Sequence, residues 1–384
     1  MIDDAVDSRP GVAATADRPI RRVGILTLPF HVNLGGIIQA AALYRWLADN
    51  GWQPVVLNKK PAKSAFKVAV GALLKRIPGQ NIANVRHSEK QRAIHYDFIA
   101  RHMPNVTKLV RSHADLADAV ERHRLDAVIV GSDQVWRPDY HGDGDPAAYF
   151  LDFVDPERAR RIAYAASFGR DRWQDEIAPD RIAGLLRDFT AVSVREASGA
   201  RICAEAFGFA DAAVTIDPTL LVDRGFYDDV SQPGERPIAE DYCFEYVLDR
   251  SVFAEGLVEA ALEPLPGTCS VLTAQPHGQG PGMTIPEWVS AFRSARHVVT
   301  DSFHGTVFSI LFERPFVSLV NVERGADRFV QLVSDLGLED RLVSDPSADK
   351  IAALLQQPID YASVGARLTQ ARERSADFLR GALA

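Results

Sequence analysis

Residues 22–58, "RVGILTLPFHVNLGGIIQAAALYRWLADNGWQPVVLN", decide the fold. "RVGILTL" (22–28) is a short apolar run, and the loop "PFHVNLGG" follows it. Residues 37–51 then read as a helix. Leu43, Trp46 and Leu47 recur at helical spacing, and Gly51 suits the position just past a helix end. "QPVVLN" (53–58) is a second strand. Strand, helix and strand in so short a span predict a parallel sheet with crossover helices.

The same alternation continues in both directions from there. "DAVIVGSDQVW" (126–136) reads as a buried strand running into a loop, and "RIAYAASFG" (161–169) as another. A strand at about 190–194 is followed by a helix, and "DAAVTIDPTLLV" (211–222) leads to a Pro-containing exit. The polar stretch 223–241 reads as a connection between domains. Beyond it come strands at 242–248, 269–275, 297–300 and 315–320, separated by helices at 252–263, 285–295 and 306–313, with a largely helical tail at 346–384. The expected architecture is α/β: two Rossmann-like units facing across a cleft. Their expected limits are 21–225 and 226–384, after a disordered arm at 1–20.

Of the 384 residues 47% are hydrophobic and 24% charged, the balance of a soluble globular protein. A net charge of −8 argues against a nucleic-acid footprint. Cys203, Cys243 and Cys269 form no CxxC pair, which leaves neither a disulfide framework nor a zinc cluster and suits a reducing, cytoplasmic setting. The acidic N-terminal stretch lacks the apolar region of a secretory signal. One segment departs from the acidic balance. Residues 59–76 hold Lys59, Lys60, Lys63, Lys67, Lys75 and Arg76 with no acidic residue. It reads either as a solvated helix or as a peripheral contact with anionic lipid at the inner face of a membrane.

In open parallel sheets ligands bind beyond the carboxyl ends of the strands. That rule selects His31, Asn33, Gly35 and Gly36 after the first strand. It selects Ser132, Asp133, Gln134, Trp136 and Arg137 after the 126–130 strand, and Arg195 after the 190–194 strand. In the second half it selects Asp301, Ser302 and His304, then Asn321, Glu323, Arg324, Asp327 and Arg328. Several have two readings. The paired glycines either shape a turn or free backbone N–H groups for an anion. Arg195 either pairs with Glu196 or Asp217, or clamps a carboxylate or phosphate. Arg324 alone reads as a solvated loop charge. His304 is either a core histidine bonded to Asp301 or an acid tuned by its surroundings. No HxH, HxxxH or carboxylate cluster suggests a catalytic metal.

Seven blocks together resemble the polysaccharide pyruvyl transferase family, in the family's order, across about 22–345. They are "NLGGIIQAAALYRWLADNGW", "VIVGSDQVW", "YFLDFV" with "RIAYAASFG", "VSVREASG", "TIDPTLLV", "VVTDSFHGTVFSILFERPFVSL" and "NVERGADRF". The resemblance implies a GT-B-like fold. It also implies transfer of the enolpyruvyl group of phosphoenolpyruvate to a sugar as a cyclic pyruvate ketal, in surface or exopolysaccharide biosynthesis. No cofactor is expected; phosphoenolpyruvate is the donor substrate, and the acceptor is a saccharide, lipid-linked or free. By this resemblance Arg195, Arg324 and His304 carry donor binding and catalysis. Asp133 or Asp301 would orient His304 or accept a hydroxyl proton. Asn33, Gly35, Gly36, Ser302, Gly305 and Thr306 complete the expected donor site, and Ser132, Gln134, Trp136 and Arg137 the expected acceptor site. One departure stands out: many members carry Arg two positions before the histidine, and Ser302 stands there in this chain. Two rival functions on the same scaffold are a nucleotide-sugar glycosyltransferase and a non-catalytic glycan-binding or assembly protein.

Overall fold

The structure, a computed structural model, describes residues 21–30, 33–60, 95–141, 146–173, 178–231, 241–250, 254, 256–267, 269–274, 282–320 and 325–384. In the first half the chain runs Arg22–Leu26 (β1), Leu34–Asp49 (α1), Gln53–Val56 (β2), Tyr96–His102 (α2), His113–His123 (α3), Ala127–Gly131 (β3), Arg160–Ala166 (β4), Pro179–Arg187 (α4), Phe189–Val194 (β5), Ala197–Phe207 (α5) and Ala213–Val214 (β6). These strands form one parallel sheet in the order β2-β1-β3-β4-β5-β6. Helices cover both faces, which is why β3 reads as an unbroken apolar run and is buried at all five positions.

Pro218–Leu221 (α6) and Arg224–Val230 (α7) lead to the second half. There the order is Tyr242–Tyr246 (β7), Leu257–Leu262 (α8), Ser270–Thr273 (β8), Ile285–Ser294 (α9), His297–Thr300 (β9), Phe303–Leu311 (α10), Phe316–Leu319 (β10), Asp327–Leu336 (α11), Leu342–Val343 (β11), Ala348–Gln356 (α12) and Tyr361–Leu383 (α13). The second sheet is also parallel, in the order β11-β10-β9-β7-β8.

The largest apolar cluster crosses from one half to the other. It joins Ile38 and Leu43 of α1, Tyr227 of α7, Trp288 and Phe292 of α9, Phe308 of α10 and Leu379 of α13. Two further clusters back the sheets, one around Val128, Trp136 and Phe150 and one around Cys243, Val299 and Val317. α13 returns to the first half. Arg372 Nε donates to the Leu220 carbonyl at 2.6 Å, Ile216 N donates to Ser375 Oγ at 3.1 Å, and Arg160 Nη1 donates to the Ala382 carbonyl at 3.1 Å.

Three element limits differ from the sequence reading, and each bears on the site. α1 begins at Leu34, because Asn33 caps it: its Oδ1 accepts from Gly36 N at 3.1 Å. Both glycines are therefore helical. α10 begins at Phe303, because Ser302 Oγ accepts from Gly305 N at 3.4 Å, so His304 sits in a first helical turn and not on a loop. The stretch expected as a polar connection opens with α7, whose Phe226, Tyr227 and Val230 are buried; residues 232–240 lie outside the described residues.

Candidate active site

The carboxyl ends of β3, β4 and β5 in the first half meet the start of α10 from the second. At their junction is Asp217. It caps α6, with Pro218 at the first helical position, where the missing N–H costs nothing. Its Oδ1 accepts from Thr219 N at 2.9 Å and from Thr219 Oγ1 at 2.6 Å. Its Oδ2 accepts from Arg195 Nη1 at 2.9 Å and from Ser132 Oγ at 3.0 Å. The side chain is wholly buried, with His304 Nε2 3.7 Å from Oδ2. Burial opposes its ionisation, but His304, Arg195 and Thr219 together hold the carboxyl well below the ordinary range.

Arg195 leaves β5 with its side chain only 2% exposed. Nη1 is used on Asp217, whereas Nε and Nη2 are buried without a hydrogen-bond partner. Nε lies 3.9 Å from Glu196 Oε2, beyond hydrogen-bond reach. Burial pushes the Glu196 carboxyl up against the pull of Arg195, and its Oε1 accepts from Ser167 Oγ at 2.8 Å. The guanidinium stacks over Phe303, Cζ 4.4 Å from the ring centre. The two alternatives for Arg195 are thus both present: an ion pair with Asp217, and two N–H groups left for an anion.

His304 is 9% exposed at its side chain, and its Nε2 has no hydrogen-bond partner. The ring lies against Gly35, where an added Cβ would overlap Nδ1. Glycine at 35 is what allows the first turn of α1 and the first turn of α10 to meet. At 3.7 Å the Asp217 carboxylate attracts an imidazolium without being bonded to it. An acid beside a fixed carboxylate and two open guanidinium donors can protonate one atom of a substrate whose anionic groups are held.

The other expected residues divide. Asp133 and Asn33 meet at the edge of the site, Asn33 Nδ2 donating to Asp133 Oδ2 at 3.3 Å, with Gly36 beside both. Asp133 Oδ1 accepts from Gln134 N at 2.8 Å. Asp301, expected to orient His304, is placed otherwise. Its two oxygens accept from Leu248 N at 2.6 Å and Asp249 N at 2.8 Å, so it fastens the exit of β7. Ser302 is the α10 cap. Gly305 is there because a Cβ would overlap Thr300 Oγ1, and Thr306 Oγ1 bonds with the Ser302 carbonyl at 3.2 Å and Ser318 Oγ at 2.6 Å. All three shape the helix turn that carries His304.

Of the four expected acceptor residues, Trp136 is a core side chain: fully buried, stacked on Phe150 at 5.0 Å, its Nε1 donating to the Tyr149 carbonyl at 2.8 Å. Ser132 is also wholly buried and bonded to Asp217. Gln134 is buried and its Oε1 accepts from Arg137 Nη1 at 3.0 Å. Arg137 is part-buried and also pairs with Asp139 at 3.2 Å. His31, Asn321, Glu323 and Arg324 lie outside the described residues, as do residues 61–76 of the basic segment. Lys59 of that segment is buried, its Nζ 4.6 Å from the Tyr149 ring centre, which removes it from any lipid contact.

Asp217 as the partner of His304 and Phe303 as the shelf under Arg195 were not legible before the fold was known. Only the Asp-Pro step in "TIDPTLLV" marked the end of a strand. A cavity of about 260 Å³ lies elsewhere on the second sheet, lined by Glu245, Arg250, Leu257, Glu259 and Leu319 among others, and none of the groups around Asp217 borders it. Among the described residues no helix is long and apolar enough to cross a membrane.

Comparisons with known proteins bear on family and fold. The family model described as polysaccharide pyruvyl transferase matches residues 33–322. No curated protein matches the chain. Among solved structures, UDP-N-acetylglucosamine 2-epimerase from Rickettsia bellii has a TM-score of 0.51 at 11% identity, covering 94% of this chain and 96% of that one. UDP-GlcNAc 2-epimerase from Methanocaldococcus jannaschii has a TM-score of 0.46 at 12% identity, covering 89% and 93%. MurG from Acinetobacter baumannii has 0.41 at 13%, covering 92% and 95%. The first of these carries the comparison, and at such identity it concerns the fold alone: two facing parallel α/β units of the GT-B kind.

Proposed function

The chain belongs to the polysaccharide pyruvyl transferase family, and from that premise we propose that it moves the enolpyruvyl group of phosphoenolpyruvate onto a saccharide as a cyclic pyruvate ketal. The observation that carries this reading is one buried constellation: His304 Nε2 3.7 Å from Asp217, beside Arg195 with two unpartnered N–H groups. Phosphoenolpyruvate has two anionic groups and one carbon that must be protonated. A guanidinium fork suits the first need and an imidazolium the second.

The reaction balances as follows. His304, as the acid, gives its proton to the methylene carbon, which becomes a methyl group. Cationic character develops at the central carbon, next to the carboxylate. A sugar hydroxyl adds there and loses its proton. Phosphate leaves, and a second hydroxyl of the same sugar adds to close the ketal ring. The two hydroxyl protons are shared between His304, restored as an acid, and the departing phosphate. Asp217 stabilises the charged imidazolium and holds Arg195 in place. Asp133, at the edge of the site, is the group we assign to relay one of these hydroxyl protons to the departing phosphate, ending unprotonated. Protonation by a positioned acid contributes on the order of 10²–10⁴-fold. No cofactor or metal enters the scheme. The place of action we propose is surface or exopolysaccharide biosynthesis in the cytoplasm, on a lipid-linked or free acceptor.

The test is phosphate release from phosphoenolpyruvate across a panel of pyranoside acceptors, with the product identified by mass spectrometry and run with and without chelator. Acceptor-dependent release, a ketal product, persistence in chelator and its abolition in folded His304→Ala are expected. Full turnover in His304→Ala would remove the histidine from the chemistry. Stabilisation of the protein by a nucleoside diphosphate, with none by phosphoenolpyruvate, would favour glycosyl transfer instead.

A further inference from the structure

Arg195 and Arg328 share one aromatic ring. Their Cζ atoms stand 4.4 Å and 6.0 Å from the centre of Phe303, and Arg328 Cζ is 5.4 Å from the centre of Phe329. The two cations come from opposite halves, Arg195 from the end of β5 and Arg328 from the first turn of α11. The segment carrying Arg328 is docked on the first half. Gly325 packs against the Gly169 carbonyl, where a Cβ would come within 2.6 Å, and its φ of +84° also favours glycine. Ala197 N donates to Gln331 Oε1 at 3.1 Å.

This arrangement leaves guanidinium donors without hydrogen bonds. Arg195 Nε and Nη2 and Arg328 Nε are buried with no hydrogen-bond partner. Burial lowers the Arg328 affinity for its proton, and Arg195 lowers it further. None of the nearby carboxylates bonds these three nitrogens. Asp217 is taken by Arg195, Ser132 and Thr219, and Asp133 by Gln134 N and Asn33. Glu196 Oε1 is bonded to Ser167, and its Oε2 lies 3.9 Å from Arg195 Nε without a hydrogen bond. Two guanidiniums on one ring, with N–H groups facing no partner, form a site that is complete only when an anion enters.

We infer that Arg328 is the second cation of the donor site, and that with Arg195 it clamps the two anionic groups of a small phosphorylated carboxylate across the junction of the halves. This rests on the reading of phosphoenolpyruvate as donor, and it names the residue that supplies the charge Ser302 cannot. Contact with the one ring fixes where both planar forks stand.

Titration calorimetry of the full chain with inorganic phosphate, pyruvate and phosphoenolpyruvate tests it, alongside thermal melting without ligand. Arg328→Gln is expected to weaken phosphoenolpyruvate by about 10–100-fold, the worth of charge-assisted hydrogen bonds. It should also weaken whichever of phosphate and pyruvate the guanidinium holds. The melting temperature of the free protein should hold or rise, because one of two neighbouring cations is gone. Arg328→Lys keeps the charge but not the fork and should fall between, and it decides the matter if the Gln variant does not fold. Unchanged affinity for all three probes in a folded variant overturns the inference. So does a lowered melting temperature with affinities retained, the mark of a structural arginine. If wild-type protein binds inorganic phosphate through Arg328 but no phosphoenolpyruvate, the clamp stands and the donor assignment falls. If it binds none of the three, the clamp falls.

Discussion

At Asp217 two opposite effects meet. Full burial favours the neutral acid, while His304, Arg195 and Thr219 favour the carboxylate and win. The sign for stability follows. A carboxyl whose folded pKa lies below its unfolded value of about 3.9 stabilises the fold above that value, and the contribution is lost as pH falls toward the folded pKa. Asp217→Asn removes this linkage and strands Arg195 beside a neutral group. Breaking a buried pair in this way costs about 3–5 kcal/mol at neutral pH. Urea unfolding at pH 7 should show that loss, and the decline of stability between pH 5 and pH 3 should be shallower in the variant than in the wild type. A steeper acid decline in Asp217→Asn would mean that the carboxyl is not held ionised. His304 should also lose its electrostatic partner, so turnover should fall even where phosphoenolpyruvate saturates the enzyme.

At the scale of elements, the site depends on two helix starts in contact. Gly35 in the first turn of α1 leaves room for the imidazole carried by the first turn of α10. Gly35→Ala sets two magnitudes against each other. Alanine gains about 0.8–1 kcal/mol of helix propensity over glycine. Overfilling a packed contact costs about 1–3 kcal/mol. The net change in stability should be small, but His304 must move, and a displacement of about 1 Å can cost 10²-fold in rate. Gly365 in α13 has open space at its Cβ and is the control: Gly365→Ala should stabilise the protein without touching turnover. If Gly35→Ala keeps full activity, the contact does not position the histidine. Strand ends, both helices and the placing of Arg195 and His304 beyond strand ends were legible in the sequence, because apolar runs and glycines mark where a strand stops. The pairings were not. Asp301 is three residues from His304 yet serves Leu248 and Asp249, whereas Asp217, far away in the chain, faces the ring. Sequence distance says nothing of which carboxylate the sheet order brings round. Trp136, expected in the acceptor site, is inside, where its indole N–H finds the Tyr149 carbonyl.

For the whole molecule, the alternation of strands and helices predicted two parallel α/β units, and two parallel sheets are what the chain forms. The return of α13 was hidden, since a helix reads the same whichever half it packs against. That return matters to the site. Arg195 and Asp217 belong to the first half and His304, Phe303 and Arg328 to the second, so the proposed chemistry needs the halves held in one relation. α13 fastens them near the site itself: Arg372 donates from Nε to the Leu220 carbonyl at 2.6 Å and from Nη2 to the Val222 carbonyl at 3.3 Å, beside the short helix that Asp217 caps. Arg372→Ala removes both bonds and leaves two carbonyls without these donors, at a cost of about 1–3 kcal/mol. The shift per kcal/mol shrinks with chain length, to about 1–1.5 °C for a chain of this size, so the melting temperature should drop by about 1–4 °C. Activity should fall at temperatures well below the melt, with both turnover and the apparent affinity for phosphoenolpyruvate affected, because the proposed clamp draws one arginine from each half. A variant that melts earlier but is fully active below its melt would show that the fold needs this fastening and the site does not.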